Sequence, residues 1–262
     1  MSVQVDKKLN QLINEWPTGA VYLTSWLKKA GFSDQLLNKY KKSEWLLSLG
    51  TGAFIRNGDF ISFHGALYAL QNQLSFSIHI GARDALALHG KSHYLQLANT
   101  KVSLFGHSSE KLPKWFTDTD WGLKVNYYGS SFLQTDVGLV DFEFKTFELK
   151  ISSPARAMME CLYLAPEEQE LMECYELMEG LTNLRPQQVQ GLLEVCSSVK
   201  VKRLFLYFAE KAKHSWLEYL DLSKIDQGKG KRSIVNNGVF VPKYGITLPK
   251  ELVEDGSLQE SS

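Results

Sequence analysis

In the first fifth of the chain, apolar positions step at helical intervals and then switch to alternation. Leu9, Leu12 and Ile13 recur at three- and four-residue spacing in KKLNQLINE and predict a helix over residues 7–15, broken by Trp16-Pro17-Thr18-Gly19. Tyr22, Leu23, Trp26 and Leu27 share one face of a second predicted helix, about Val21 to Ala30, which Gly31 stops. Ser33 stands as the N-cap of a third, DQLLNKYKKSEW, with Leu36, Leu37 and Tyr40 inward. Two β-prone runs follow, about Trp45 to Leu49 and Ala53 to Arg56, joined by Gly50-Thr51-Gly52. Three helices and then a hairpin is the element order of a winged helix-turn-helix.

After Asn57-Gly58-Asp59 the pattern changes. His64 to Leu74 predicts a linking helix, SFSIHI a strand, and ARDALALHG a short helix stopped at Gly90. Strand alternation dominates from Tyr94 to Ile151, in YLQLA, KVSLFG, KVNYYG and LVDFEFKTFELKI, with KLPKWFTD as a helical turn among them. Helical spacing returns from Pro154 to Leu222, opened by Ser153 as N-cap and Pro154 at the first helical position. In the turn-rich tail, Asn237-Gly238 sits between two β-prone runs and predicts a hairpin. The expected fold is α+β: a winged helix-turn-helix domain over residues 1–75, then a larger mixed α+β domain over 76–262.

Composition narrows the class without naming a function. The chain has 262 residues, 44% of them hydrophobic and 22% charged, and its net charge is zero. Global charge therefore selects no partner, and any electrostatic argument has to be local. MSVQVDKKLNQLINEW has no apolar signal-peptide core, and no apolar run is long enough for a bilayer, so no membrane partner and a cytoplasmic location are expected. Cys161, Cys174 and Cys196 lie in helix-like apolar patterns with no CxxC pair, the pattern of buried free thiols in a reducing compartment.

Local charge does favour one stretch. From Tyr22 to Arg56 there are six basic residues, Lys28, Lys29, Lys39, Lys41, Lys42 and Arg56, against Asp34 and Glu44, an excess of four. In a helix-turn-helix the reader helix enters the major groove by its N-terminal part. Ser33, Gln35 and Asn38 are polar groups on its outward face, and Gln or Asn can pair with adenine. Lys39, Lys41 and Lys42 add sequence-independent attraction to phosphates, and Arg56 follows the wing turn. Lysines on an exposed helix face are also met as plain solvated residues, and a winged helix can equally serve as a protein-interaction module.

Three patterns in the second domain bear on chemistry. VDFEFKTFELK places Asp141, Glu143 and Lys145 at strand alternation, the minimal outline of a magnesium-dependent nuclease site, with Asp120 or Asp136 as the further acid. A half-buried strand produces the same alternation, and that plainer reading is preferred. His89 and His93 are four apart, but Gly90 between them ends a helix and no carboxylate completes a set, so no metal and no cofactor are expected. Seven glutamates between Glu160 and Glu179 contrast with nine basic residues between Lys200 and Arg232, a run ending in GKGKRS. Lys229, Lys231 and Arg232, among glycines, could hold an anion or a nucleic acid.

YLTSWLKKAGFSDQLLNKYKKSEWLLSLGTGAFIR resembles the N-terminal domain of the AbiEi antitoxins of type IV toxin–antitoxin systems. ISSPARAMMECLYLAP and SVKVKRLFLYFAEKAKHSWLEYLDLSKIDQGKGKRS, with GVFVPKYGITLPK, are similar to segments of the longer AbiEi type. The resemblance covers nearly the whole chain in order. It implies a non-enzymatic antitoxin and transcriptional autorepressor whose winged helix binds inverted repeats in double-stranded DNA of its own promoter. It also implies a C-terminal domain that counteracts the AbiEii toxin, a nucleotidyltransferase. Carried over, DNA contacts fall on Ser33, Gln35, Asn38, Lys39, Lys41, Lys42 and, on the wing, Arg56. A magnesium-dependent nuclease with a winged-helix targeting domain, or a winged helix that binds the toxin directly, are the alternatives.

Overall fold

The computed structural model describes residues 16–90 and 101–254. The helix expected over residues 7–15, the strand YLQLA and His93 lie outside them. The described residues form two compact units that interleave in sequence: residues 16–79, 101–129 and 141–151 make the first, and 80–90, 130–140 and 152–254 the second.

The first unit opens with strand β1 (Tyr22–Leu23), helix α1 (Thr24–Lys29), helix α2 (Asp34–Lys42) and the strand pair β2 (Leu46–Gly50) and β3 (Ala53–Arg56). These are the elements of a winged helix-turn-helix, with a core of Trp16, Ala20, Tyr22, Leu27, Phe32, Leu37, Tyr40, Leu46 and Phe54. The second expected helix starts three residues late. Tyr22 and Leu23 instead pair antiparallel with Phe54 and Ala53, giving the sheet order β1-β3-β2. Val21, Tyr22 and Leu23 are all buried. An extended segment can bury successive side chains on both of its faces, whereas a surface helix would have to turn one of them to water.

Helix α3 (Phe63–Gln73) follows the wing. Its Gly65 lies so close to the Gly19 carbonyl that a β-carbon would come within 1.8 Å of that oxygen, and the Gly65 carbonyl accepts the Val21 N–H. Only glycine allows that approach. Of SFSIHI, only β4 (His79–Ile80) is a strand. The preceding backbone is used elsewhere: Phe76 N–H donates to the Leu70 carbonyl, closing α3, and Ser77 N–H and Oγ both donate to Glu110. Helix α4 (Ala82–Leu88) in the second unit ends near Gly90 as expected.

Strands β5 (Lys101–His107), β6 (Lys124–Ser130), β7 (Leu139–Phe144) and β8 (Phe147–Ser152) join β4 in a five-stranded sheet of order β6-β5-β4-β8-β7, with the short helix α5 (Lys114–Thr117) between β5 and β6. LVDFEFKTFELKI, read as one run, is a hairpin: Lys145 turns the chain at φ +50°. The turn itself, Lys145-Thr146 between Phe144 and Phe147, carries no glycine, proline, asparagine, aspartate or serine, the residues that usually announce one.

The second unit is built on helices α6 (Pro154–Leu164), α7 (Leu171–Glu179), α8 (Pro186–Val195) and α9 (Val199–Lys211). Ser153 Oγ caps α6 by accepting the Arg156 N–H, with Pro154 at the first position. Helix α6 is buried along almost its whole length, including Arg156 and Glu160. That pair is satisfied inside: Arg156 donates to Glu160 and to the carbonyls of Gln134 and Val137, and Glu160 also accepts from Ser152 and the Ala82 N–H. The three cysteines are buried free thiols, and burial pushes the Cys161 thiol well above its ordinary range.

The tail carries β9 (Arg232–Ser233), β10 (Val239–Val241), β11 (Ile246–Leu248) and the short helix α10 (Lys250–Val253). Asn237-Gly238 does not close the hairpin its sequence suggests. Strand β9 runs parallel to β11, and the antiparallel partner of β10 is also β11, reached through Pro242–Gly245. Asn237 does take a left-handed conformation, φ +57°, but it feeds β10 into place beside β11 and does not fold β9 against β10. Among the described residues, no helix is long and apolar enough to cross a membrane.

Candidate nucleic-acid interface

Helix α2 is set by its cap and its buried face. Ser33 Oγ accepts the Leu36 N–H at 3.3 Å and the Ser33 carbonyl accepts the Leu37 N–H at 2.9 Å, so this serine starts α2. Leu37 and Tyr40 are buried, which fixes the helix rotation. Gln35, Asn38, Lys39, Lys41 and Lys42 are all exposed. Positions 35, 38, 39 and 42 fall at helical spacing, so two amides and two ammonium groups share one outward face. Lys41 is directed sideways, with Nζ 5.4 Å from the centre of the Phe54 ring. Lysines 39, 41 and 42 lie in the last turn, where the helix dipole favours positive charge. Lys28, counted in the local excess, is paired with Asp34 at 2.8 Å.

The wing is tied down at its tip. The Gly52 carbonyl accepts both the N–H and the hydroxyl of Thr24, at 2.8 and 3.2 Å, and a β-carbon at Gly50 would come within 3.1 Å of Trp115 Cβ. Thr51 remains exposed between them. Arg56 is only partly exposed: its Nε and Nη2 donate to Asp59 Oδ1, and Nη2 also to Thr18 Oγ1. The structure thus groups Gln35, Asn38, Lys39 and Lys42 on one face, with Ser33 engaged in the cap and Arg56 in an ion pair.

Lys229, Lys231 and Arg232 belong to the second unit, in a loop whose backbone is anchored by a residue the sequence did not single out. Arg203, 5% exposed, donates through Nε to the Gln227 carbonyl, through Nη2 to that of Gly228, and through Nη1 to those of Gly230 and Gly245. An arginine inside a basic run reads as a solvated residue, so only the fold identifies it as a structural anchor. Lys229, Lys231 and Arg232 are exposed around it.

The remaining charged patterns have plain structural partners. Asp141 pairs across the β7–β8 hairpin with Lys150 at 2.8 Å, and Glu143 is exposed on the same strand. His89 contacts the Ser152 carbonyl through Nε2 at 2.9 Å. Among the described residues, no group of three or more His, Cys, Asp or Glu side chains could hold a metal ion. Glu160 pairs with Arg156 and Glu173 with Arg83, while Lys200 donates to the Tyr163 and Ala165 carbonyls and Lys211 Nζ lies 5.6 Å from the centre of the Tyr175 ring.

Two family models match the chain in succession. One described as "Transcriptional regulator, AbiEi antitoxin N-terminal domain" matches residues 5–97. One described as "Transcriptional regulator, AbiEi antitoxin, Type IV TA system" matches residues 99–249. Comparison with curated proteins returns no match. Among solved structures, the crystal structure of the RV2827C protein from Mycobacterium tuberculosis is similar in fold, with a TM-score of 0.56 and 11% sequence identity, over 92% of this chain and 90% of that one.

Proposed function

The chain belongs to the AbiEi antitoxin family of type IV toxin–antitoxin systems, and from that premise we propose that it represses its own promoter by laying α2 in the major groove of inverted repeats. The observation that carries this reading is the outward face of α2. Gln35 and Asn38 stand beside Lys39 and Lys42 on a helix whose opposite face is locked in the core by Leu37 and Tyr40. Amides near the helix start can read base edges, and lysines near its end can neutralise phosphates. Ser33 holds the helix start, Lys41 adds charge beside the wing, and Arg56 supports the wing from behind. Two protomers on inverted half-sites would follow the duplex repeat, about 10 base pairs centre to centre. The toxin whose activity the antitoxin counteracts is, on this reading, a nucleotidyltransferase encoded beside it, and the antitoxin itself carries out no chemistry.

The test is a salt series of binding to the DNA immediately upstream of the coding region, against scrambled duplex of equal length. Preference for the upstream duplex, weakened by salt and abolished by joint substitution of Gln35, Asn38, Lys39 and Lys42 with alanine, is expected. Equal binding to both duplexes would overturn the proposal.

A further inference from the structure

The loop from Gln227 to Arg232 is held in a way that turns its amide groups outward. The Gly228 and Gly230 carbonyls both accept from the Arg203 guanidinium, at 3.1 and 2.7 Å. In a planar trans peptide the N–H of the next residue points opposite to the carbonyl. The N–H groups of Lys229 and Lys231 therefore point away from Arg203. Among the described residues neither has a hydrogen-bond partner, whereas the flanking Gly228 and Arg232 N–H groups are used on Asp226 and the Gly245 carbonyl. Gly228 and Gly230 take φ of +65° and +78°, flanking a lysine of negative φ, and backbones of alternating hand present successive amides to an anion.

Charge and an aromatic ring complete the surface. Lys229, Lys231 and Arg232 are exposed, and from Lys224 to Lys243 five cations face one acid, Asp226. Lys243 is itself engaged by Glu210 and Lys224 by Asp221, which leaves Lys229, Lys231 and Arg232 to act on a ligand. Phe240 on β10 keeps 38% of its surface exposed, with the Lys231 Nζ 4.9 Å from its ring centre. Outward amides and lysines suit phosphate oxygens. An exposed ring beside them suits an unstacked base, which a duplex does not offer because its base faces are covered.

We propose that this loop binds a single-stranded nucleic acid, taking its phosphates on the Lys229 and Lys231 amides and on the Lys229, Lys231 and Arg232 side chains, and stacking a base on Phe240. Arg203 is the positioning residue. The site is independent of the repressor reading, because none of its residues belongs to the winged helix.

Fluorescence anisotropy of the full chain tests it, with labelled oligoribonucleotide and oligodeoxyribonucleotide of one mixed sequence and the corresponding duplex. Lys229→Ala/Lys231→Ala is expected to flatten the salt dependence of single-strand binding by about 1.4 in log–log slope, roughly 0.7 for each phosphate. Phe240→Leu is expected to weaken single-strand binding about fivefold or more while leaving duplex binding unchanged, the lower end of what one stacked base contributes. The ribo- and deoxyribo- arms tell which sugar the site takes. Single-strand binding that both variants retain, or an equal loss on single strand and duplex with Phe240→Leu, overturns the proposal. Single-strand binding by Lys39→Ala/Lys42→Ala equal to that of the unsubstituted protein separates this site from the reader helix.

Discussion

Arg56 and Asp59 lock the end of the wing: Arg56 Nη2 donates to Asp59 Oδ1 at 2.8 Å, and the other carboxylate oxygen accepts the Gly19 N–H at 3.0 Å. The Asp59 side chain is 4% exposed, so removing the guanidinium would strand a charge away from water. Arg56→Ala is expected to cost about 2–3 kcal/mol of unfolding free energy in urea, since breaking one side of a buried pair costs more than the pair contributes. Unchanged stability with lost DNA affinity would instead make Arg56 a DNA contact.

Substitutions on the outward face of α2 should separate by type. Lys39→Ala and Lys42→Ala are each expected to weaken binding to every duplex and to lower the log–log salt slope by about 0.9. Gln35→Ala or Asn38→Ala should alter sequence preference by about 1–3 kcal/mol at one base pair and leave the slope intact. Mutant and parent curves that coincide at every salt concentration would remove α2 from the interface.

A buried glutamine acts as a surrogate strand residue beside β1. Gln73 Oε1 accepts the Leu23 N–H and its Nε2 donates to the Val21 carbonyl, both at 2.8 Å. Gln73→Leu leaves two buried backbone groups without partners and is expected to cost roughly 2–4 kcal/mol. Gln73→Glu keeps the acceptor but sets a buried carboxylate against the Val21 carbonyl, so its denaturation midpoint at pH 7 should fall at or below that of Gln73→Leu.

Histidine 64 makes the first unit sensitive to mild acid. Its ring stacks on Phe144 with centroids 4.3 Å apart, and burial, aided by the Lys145 charge, holds its pKa below the ordinary 6.5. Below pH 6.5 the unfolded chain takes up a proton that the folded chain resists. The contribution is therefore complete above 6.5 and is lost as pH falls from there through the folded-state pKa. Thermal melts should show a steeper decline in Tm between pH 7 and pH 5 for the parent protein than for His64→Phe, which keeps the stacking without the titration. Parallel declines would rule the group out.

Several elements were legible because their signal is local. The Ser33 cap, the Gly50-Thr51-Gly52 turn, the Ser153-Pro154 helix start and the three apolar cysteine positions each depend on a few neighbouring residues, and each stands where it was expected. Expectations failed where the deciding partner was distant in sequence. Tyr22 and Leu23 are strand residues because Phe54 and Ala53 pair with them. The turn at Lys145-Thr146 was hidden by apolar alternation that continues on both sides of it. Asn237-Gly238 looks like a hairpin turn, but β11 takes both neighbouring strands.

The sequence by itself determined the α+β class, the helix, helix and strand-pair order between Thr24 and Arg56, the excess of positive charge around α2 and the family, because periodicity, capping and residue order are properties of the chain. Tertiary structure alone decided which charged side chains are already paired. Arg203 and Arg56 belong to equally basic stretches as Lys39 and Lys231, yet the first two are occupied by carbonyls and a carboxylate while the other two face outward. Charge is fixed by residue type. Whether that charge is already satisfied or remains available to a ligand depends on which distant groups the fold brings within hydrogen-bond reach.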